Sequence, residues 1–340
     1  MKTLHKTAIS AAAALLSGVA TTAAFAADAP APEVSPITAN VTVASNYIYR
    51  GLTQTNNKPA IQGGFDYAHE SGFYVGNWNS TISWLSDGYT NGAGYANQQT
   101  NAPGWTVTGP IEMDFYAGFK KEIFAEGFAT DVGVLQYYYP TSGLPNFTQS
   151  QANLQSNCQG CVATGRQFQG LNPSTTEIYA AQNFTLGPAT GFLKLSYAAT
   201  NLFGIANSAG ALYPDLTANY DTGFFGLTLN AHAGYQYVPN SYTQPVATAT
   251  TNSPAGTYNL SYADWRLGVT KDFGGGLSGS VAYTGTTAQK VGNIYVYATP
   301  LNGNQGRANA VVSLTITFLF PPLNGETYEI NYRNHQALQA

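Results

Sequence analysis

Charge is scarce in this sequence. Asp, Glu, Lys and Arg make up only 9% of its 340 residues, whereas a water-facing domain carries about a quarter. That is too little charge to cover a soluble surface. Long apolar runs are missing too: past the N-terminal leader, no stretch reaches the roughly 20 apolar residues of a spanning helix. Disorder is excluded from the other side. Disordered chains are poor in aromatics, and this one holds 24 Tyr, 17 Phe and 4 Trp. Its 36 glycines follow no G-x-y period, which excludes collagen. What remains is a chain that meets lipid through single apolar residues alternating with polar ones, the composition of an all-β transmembrane antiparallel β-barrel.

The leader fits the compartment such a barrel needs. Lys2, His5 and Lys6 form a basic start, Ala8 to Ala20 an apolar stretch, and Ala24-Phe25-Ala26 an A-x-A cleavage signal. Residues 1–26 therefore read as a secretory signal peptide, 27–39 as a Pro/Ala-rich periplasmic lead-in, 40–320 as the barrel and 321–340 as a C-terminal tail. No cysteine precedes Cys158, so no lipid-modified cysteine sits at the cut. The leader carries Lys2 and Lys6 and no acid, so cleavage makes the full-length charge of −4 more negative. Nucleic acid is excluded as a partner on that ground.

From Asn40 onward the chain divides into about 12 segments of period 2: 40–50, 58–69, 72–84, 111–120, 127–139, 175–186, 190–202, 212–221, 225–238, 260–272, 276–286 and 308–319. Even-numbered strands end in short turns such as Gly187-Pro188 and Gly274-Gly275, odd-numbered ones in longer loops, above all 85–110 and 140–174. Bacterial barrels segregate short periplasmic turns from long extracellular loops in this way, and an even strand count puts both termini in the periplasm. The faces agree. Leu227, Leu229, Ala231, Ala233 and Tyr235 alternate with Thr228, Asn230, His232, Gly234 and Gln236, and Met113 and Phe115 alternate with Glu112 and Asp114. A slip of one residue would put Glu112 and Asp114 in lipid at about 2–4 kcal/mol each. The segments 72–84 and 127–139 are aromatic on both faces, which leaves their phase open. Tyr47, Tyr49, Tyr137 to Tyr139, Tyr235 and Tyr237 lie at strand ends, where aromatic girdles are expected.

Several segments resemble the TorF family of proposed porins. They are Ser45–Gln54 (SNYIYRGLTQ), Pro59–Tyr67 (PAIQGGFDY), Gly72–Trp78 (GFYVGNW), Glu112–Gly118 (EMDFYAG), Asp131–Pro140 (DVGVLQYYYP), Glu177–Tyr179 (EIY) and Tyr262–Asp272 (YADWRLGVTKD). Their order is the family's, and they cover most of the barrel. The resemblance implies a Gram-negative outer-membrane location and a channel role. Two features depart from it. Val312, Leu314, Ile316 and Phe318 form the terminal pattern on which the family usually stops, yet this chain runs on through Pro321-Pro322 to Ala340. That tail reads as a periplasmic extension or as a short strand over Thr327 to Tyr332. The loops 85–110 and 140–174 are also longer than the family's norm.

Cys158-Gln159-Gly160-Cys161 is a C-x-x-C in a polar loop. In an oxidising compartment it reads as a local disulfide contributing at most about 2 kcal/mol. Metal or redox use lacks the further ligands or the strand-to-helix context it needs. No nucleophile and base lie together: His69 is in a turn, His232 faces the lumen with no serine two residues away, and His335 is in the tail. The chain reads as no enzyme, with no cofactor or metal. Asp272-Phe273-Gly274 is a hairpin turn, as is the glycine run beside it.

The inward charges are the candidate functional residues: Arg50, Asp66, Glu112, Asp114, Glu177, Lys194, Asp264 and Arg266, with His232 beside them. They either form a constriction that sets ion preference or pair across strands and plug the lumen. Acids outnumber bases, which points to a mild cation preference. Twelve strands lie between filled eight-stranded barrels and open sixteen-stranded ones. The expectation is a narrow porin-like channel, monomeric or weakly oligomeric, for passive diffusion of small hydrophilic solutes or ions, with lipid around it. The competing expectation is a surface adhesion or structural barrel with a closed lumen.

Overall fold

The computed structural model describes residues 36–89, 108–143, 172–205, 207–239, 241–244, 256–288, 290–291, 294–297 and 304–320. The signal peptide, the Cys158/Cys161 pair, His335 and the tail beyond Phe320 lie outside these residues.

The wall is one closed antiparallel barrel of twelve strands. In chain order they are β1 (Ile37–Ala44), β2 (Ala60–Ala68), β3 (Phe73–Thr81), β4 (Ile111–Ala125), β5 (Phe128–Tyr138), β6 (Thr175–Leu186), β7 (Ala189–Ala198), β8 (Leu212–Asp221), β9 (Leu227–Gln236), β10 (Tyr262–Gly274), β11 (Leu277–Thr286) and β12 (Asn309–Leu319). Each pairs with the next, and β1 closes on β12 through Val41↔Ile316 and Val43↔Leu314. This is the expected fold class. Closure leaves no sheet edge. Short turns gather at one end with both ends of the barrel sequence, and the longer connections gather at the other.

Alternation sets the faces. Leu193, Leu267 and Val281 are 59%, 59% and 56% exposed on the outside, while Lys194, Arg266 and Ser280 beside them point inward. The two segments of open phase resolve. In β3, Phe73 and Val75 are exposed and Tyr74, Gly76, Trp78 and Ser80 point in. In β5, Val132, Val134 and Tyr138 point out, and Asp131, Leu135 and Tyr137 in. Their ambiguity came from aromatics on both faces: Tyr74, Trp78 and Tyr137 point in, Phe73 and Tyr138 out. Asn77 lies between its cross-strand neighbours Phe65 and Phe115. Its Nδ2 donates to Asp114 O (3.0 Å), and its Oδ1 accepts from Asn79 (2.5 Å).

The first strand differs most from expectation. It begins at Ile37 and leaves the wall after Ala44, instead of running from 40 to 50. The reason lies in the next residues, which fold into the lumen as a small hairpin, Ile48–Tyr49 paired with Leu52–Thr53. Arg50 (φ 45°) and Gly51 (φ 74°) make its turn in the left-handed region. The segment expected over 72–84 likewise stops at Thr81, and Trp84–Tyr89 is a short helix.

Candidate functional site: the barrel lumen

Two strand-borne features prepare the lumen. Inward glycines face inward tyrosine rings of neighbouring strands: Gly76 faces Tyr116, Gly118 faces Tyr74, Gly133 faces Tyr179 and Gly234 faces Tyr213. A Cβ on Gly76 would stand 2.4 Å from the Tyr116 ring, and one on Gly133 would stand 2.5 Å from the Tyr179 hydroxyl. The rings therefore lie along the wall and deliver their hydroxyls to acids. Tyr116 donates to Asp66 Oδ1 (2.5 Å). Tyr74 donates to Asp131 Oδ1 (2.6 Å) and meets the Tyr179 hydroxyl. Glu112 accepts from Tyr47 (2.5 Å) and from Tyr139. With Trp78, Leu135 and Tyr137 these side chains form a buried cluster on one side of the lumen.

The second feature is the inserted hairpin. In a ring of twelve, β7 stands opposite β1, and Arg50 reaches across to that side. Its guanidinium bonds Glu177 Oε2 of β6 (2.7 Å) and Gln236 Oε1 of β9 (2.7 Å). It also lies over the Tyr213 ring of β8, 4.1 Å from the centroid. Side chains of both ion-pair partners are nearly buried. Such a charge pair is held only if its remaining hydrogen bonds are made, and Gln236 and Tyr137 (3.4 Å to Glu177) make them. Leu52, past the turn, joins Leu202, Ile205, Leu260, Tyr262, Val296 and Tyr297 in an apolar cluster that narrows the long-loop end. Beside the hairpin at the long-loop end is a small pocket, partly open to solvent, bordered by Arg50, Trp84, Tyr139, Phe203 and Gln236.

Beside the hairpin's foothold, His232 bridges two carboxylates. Its Nδ1 lies 3.0 Å from Asp215 Oδ1 and its Nε2 2.9 Å from Asp264 Oδ1. Tyr213 donates to Asp264 Oδ2 (2.9 Å) and Thr217 to Asp215 Oδ1 (3.0 Å), and Lys194 stands 3.7 Å from Asp215.

The remaining wall is different. Strands β1, β11 and β12 contain no charged residue. Their inward side chains are mostly short and hydroxylated, with Ala44, Ala282 and Val311 among them, and the hydroxyls bond across strands: Ser280 with Ser313 (2.8 Å) and Thr42 with Thr315 (2.7 Å).

A family model described as a bacterial protein of unknown function, Gcw_chp, matches residues 26–164 and 160–318. This chain belongs to the Gcw_chp family. No curated protein matches the sequence. Among solved structures, the Gcw_chp chain is similar to the KdgM porin (6% identity, 83% of this chain and 99% of that one, TM-score 0.42). It is similar to the NanC porin (8% identity, 84% and 100%, TM-score 0.43). It is also similar to the Pseudomonas putida toluene transporter TodX (8% identity, 84% and 89%, TM-score 0.42).

All nine inward residues singled out in this Gcw_chp sequence face the lumen, but they do not form one ring. Arg50 arrives from the inserted hairpin, not from a wall strand, and joins Glu177. Lys194, His232 and Asp264 meet around Asp215 and Tyr213. Asp66 and Glu112 are held by tyrosines. Asp114 is fully buried, and neither of its carboxylate oxygens has a hydrogen-bond partner among the described residues. Arg266 sits in register with His232 but makes no hydrogen bond or ion pair with any of them. Sequence reading missed Asp131 and Asp215 and the tyrosines. Asp215 was legible, since alternation in β8 sets it beside Tyr213, Thr217 and Asn219. The girdle expectation needs correction in part: Tyr47, Tyr49, Tyr137 and Tyr139 point into the lumen and bond its acids or one another. Tyr138, Tyr235 and Tyr237 are the ones on the outside.

Proposed function

We propose that this protein is an outer-membrane channel for passive diffusion of small hydrophilic solutes or ions, with no catalytic step. One observation carries the reading: the closed twelve-stranded barrel is apolar outside and polar within, with charged and hydroxylated side chains on its inner face. Larger barrels with polar interiors conduct through them. The leader, the segregation of turns from loops and the resemblance to the TorF family support the location, with the long loops outside and surrounding lipid against the belt. Carboxylates outnumber cations along the lumen, which supports a mild cation preference.

The test is planar-bilayer recording on the refolded full chain. Discrete conductance steps are expected, with a reversal potential in a salt gradient on the cation-selective side. Anion selectivity overturns the preference. Absence of steps overturns the channel and favours the closed adhesion or structural barrel, the reading favoured by the hairpin that crosses the lumen.

A further inference from the structure

Among the described residues, the lumen cations are nearly all engaged. Arg50 is paired with Glu177, Lys194 faces Asp215, His232 lies between two carboxylates, and Lys120 donates to Asn183 Oδ1 (3.2 Å). Arg266 makes no hydrogen bond or ion pair with any described residue. It is half-buried and points inward, because Trp265 and Leu267 on either side of it are exposed on the outer face. Its in-register neighbours are His232 on β9 and Thr284 on β11. The nearest carboxylate on its own strand, Asp264, is already taken by His232 Nε2 and the Tyr213 hydroxyl (2.9 Å each).

Beyond Thr284 the wall turns neutral. It runs through β11, β12 and β1 without a charge. The Thr284 hydroxyl donates to Trp265 O (3.0 Å), so toward the lumen it offers lone pairs. A half-buried guanidinium with no protein partner among the described residues keeps its N–H donors open to a ligand. Its planar fork of N–H donors fits the two oxygens of a carboxylate or phosphate. The hydroxyl rows beside it suit the hydroxyl groups of a hydrophilic molecule.

We propose that Arg266 is a binding subsite for the oxyanion group of small hydroxylated solutes in the lumen. Passage of such solutes rests on the channel reading above; the binding itself does not. The subsite is also distinct from the overall ion preference, which sums every lumen charge, whereas binding depends on this one side chain.

The test is isothermal titration of the full chain refolded in detergent at low salt, with gluconate, inorganic phosphate and neutral sorbitol as probes. Saturable binding of gluconate or phosphate is expected, with none of sorbitol, and the probe that binds tells carboxylate from phosphate. Arg266→Gln should weaken binding by about tenfold or more, with Arg266→Lys in between. Circular dichroism and gel mobility confirm that both variants fold. Equal binding by wild type and Arg266→Gln overturns the site, as does failure of wild type to bind either anion. Because titration needs no ion flow, a conducting protein that binds neither probe overturns this site alone. A non-conducting protein that binds gluconate overturns the channel alone.

Discussion

The two sides of the lumen share one backbone geometry and opposite side-chain chemistry. From β3 to β6 the inward positions hold Tyr74, Trp78, Tyr116, Tyr137 and Tyr179, and phenolic hydroxyls hold Asp66, Glu112 and Asp131, while Glu177 pairs with Arg50. From β11 through β12 to β1 they hold Ser, Thr and small apolar residues, and the hydroxyls pair with one another. A twelve-stranded wall encloses more space than one layer of small side chains can fill. The aromatic side solves this with rings and with the inserted hairpin. The hydroxyl side meets it with small side chains that are themselves buried: Thr42, Ser280 and Thr284 are 7%, 5% and 3% exposed. The lesson is that this lumen is divided lengthwise, into an aromatic part that holds most of the acids and a neutral part lined by hydroxyls.

The largest expected effect comes from severing the element that joins the two sides. Arg50→Ala leaves Glu177 buried and unpaired, which costs about 3–5 kcal/mol, read as a lower urea midpoint. Single-channel conductance should rise as the hairpin loosens. Replacing both partners, Arg50→Met with Glu177→Leu, should restore most of the stability, since a buried pair exchanged for apolar residues is often neutral. If it does not, the pair does more than neutralise charge. Gly76→Val comes next: its side chain takes the place of the Tyr116 ring and breaks the bond to Asp66, at about 1–3 kcal/mol in the same unfolding assay. Asp264→Asn weakens one of the two charge-assisted contacts to His232, at about 1.5–3 kcal/mol or less. The smallest effect belongs to the hydroxyl side. Ser280→Ala removes one exchange with Ser313 and should cost about 1 kcal/mol or less. A loss as large as that of Gly76→Val would show that this side is packed as tightly as the other, and would undo the division.

Much of the wall was legible because alternation is enforced from outside: Phe115 and Leu267 can lie outward only if Glu112, Asp114 and Arg266 lie inward. The hairpin was not legible. Ser45 to Arg50 reads as the end of the first strand, and nothing local marks that it leaves the wall after Ala44; Arg50 is drawn out of the wall by Glu177 and Gln236, residues 127 and 186 positions away. The tyrosines were misplaced for a related reason. Tyr47 and Tyr139 at strand ends fit an interfacial girdle or an inward bond to Glu112 equally well by sequence, and only the closed ring brings that carboxylate to them. Aromatics on both faces blurred the phase of β3: Tyr74 and Trp78 point in and Phe73 out, and the outward Asn77 and Asn79 find their partners in backbone and each other.

In mechanical terms, the Arg50 hairpin is a spoke. A hollow ring pressed from the side goes oval, because each strand pair can hinge a little on its neighbour. Here a covalent arm rooted between β1 and β2 is fastened to β6 and β9 on the far rim. The cross-section is therefore held at two opposite places, one of them beside the seam where β1 meets β12. The same fastening can be made only after the sheet has rolled up, so closing the seam and setting the spoke belong to one final step of assembly.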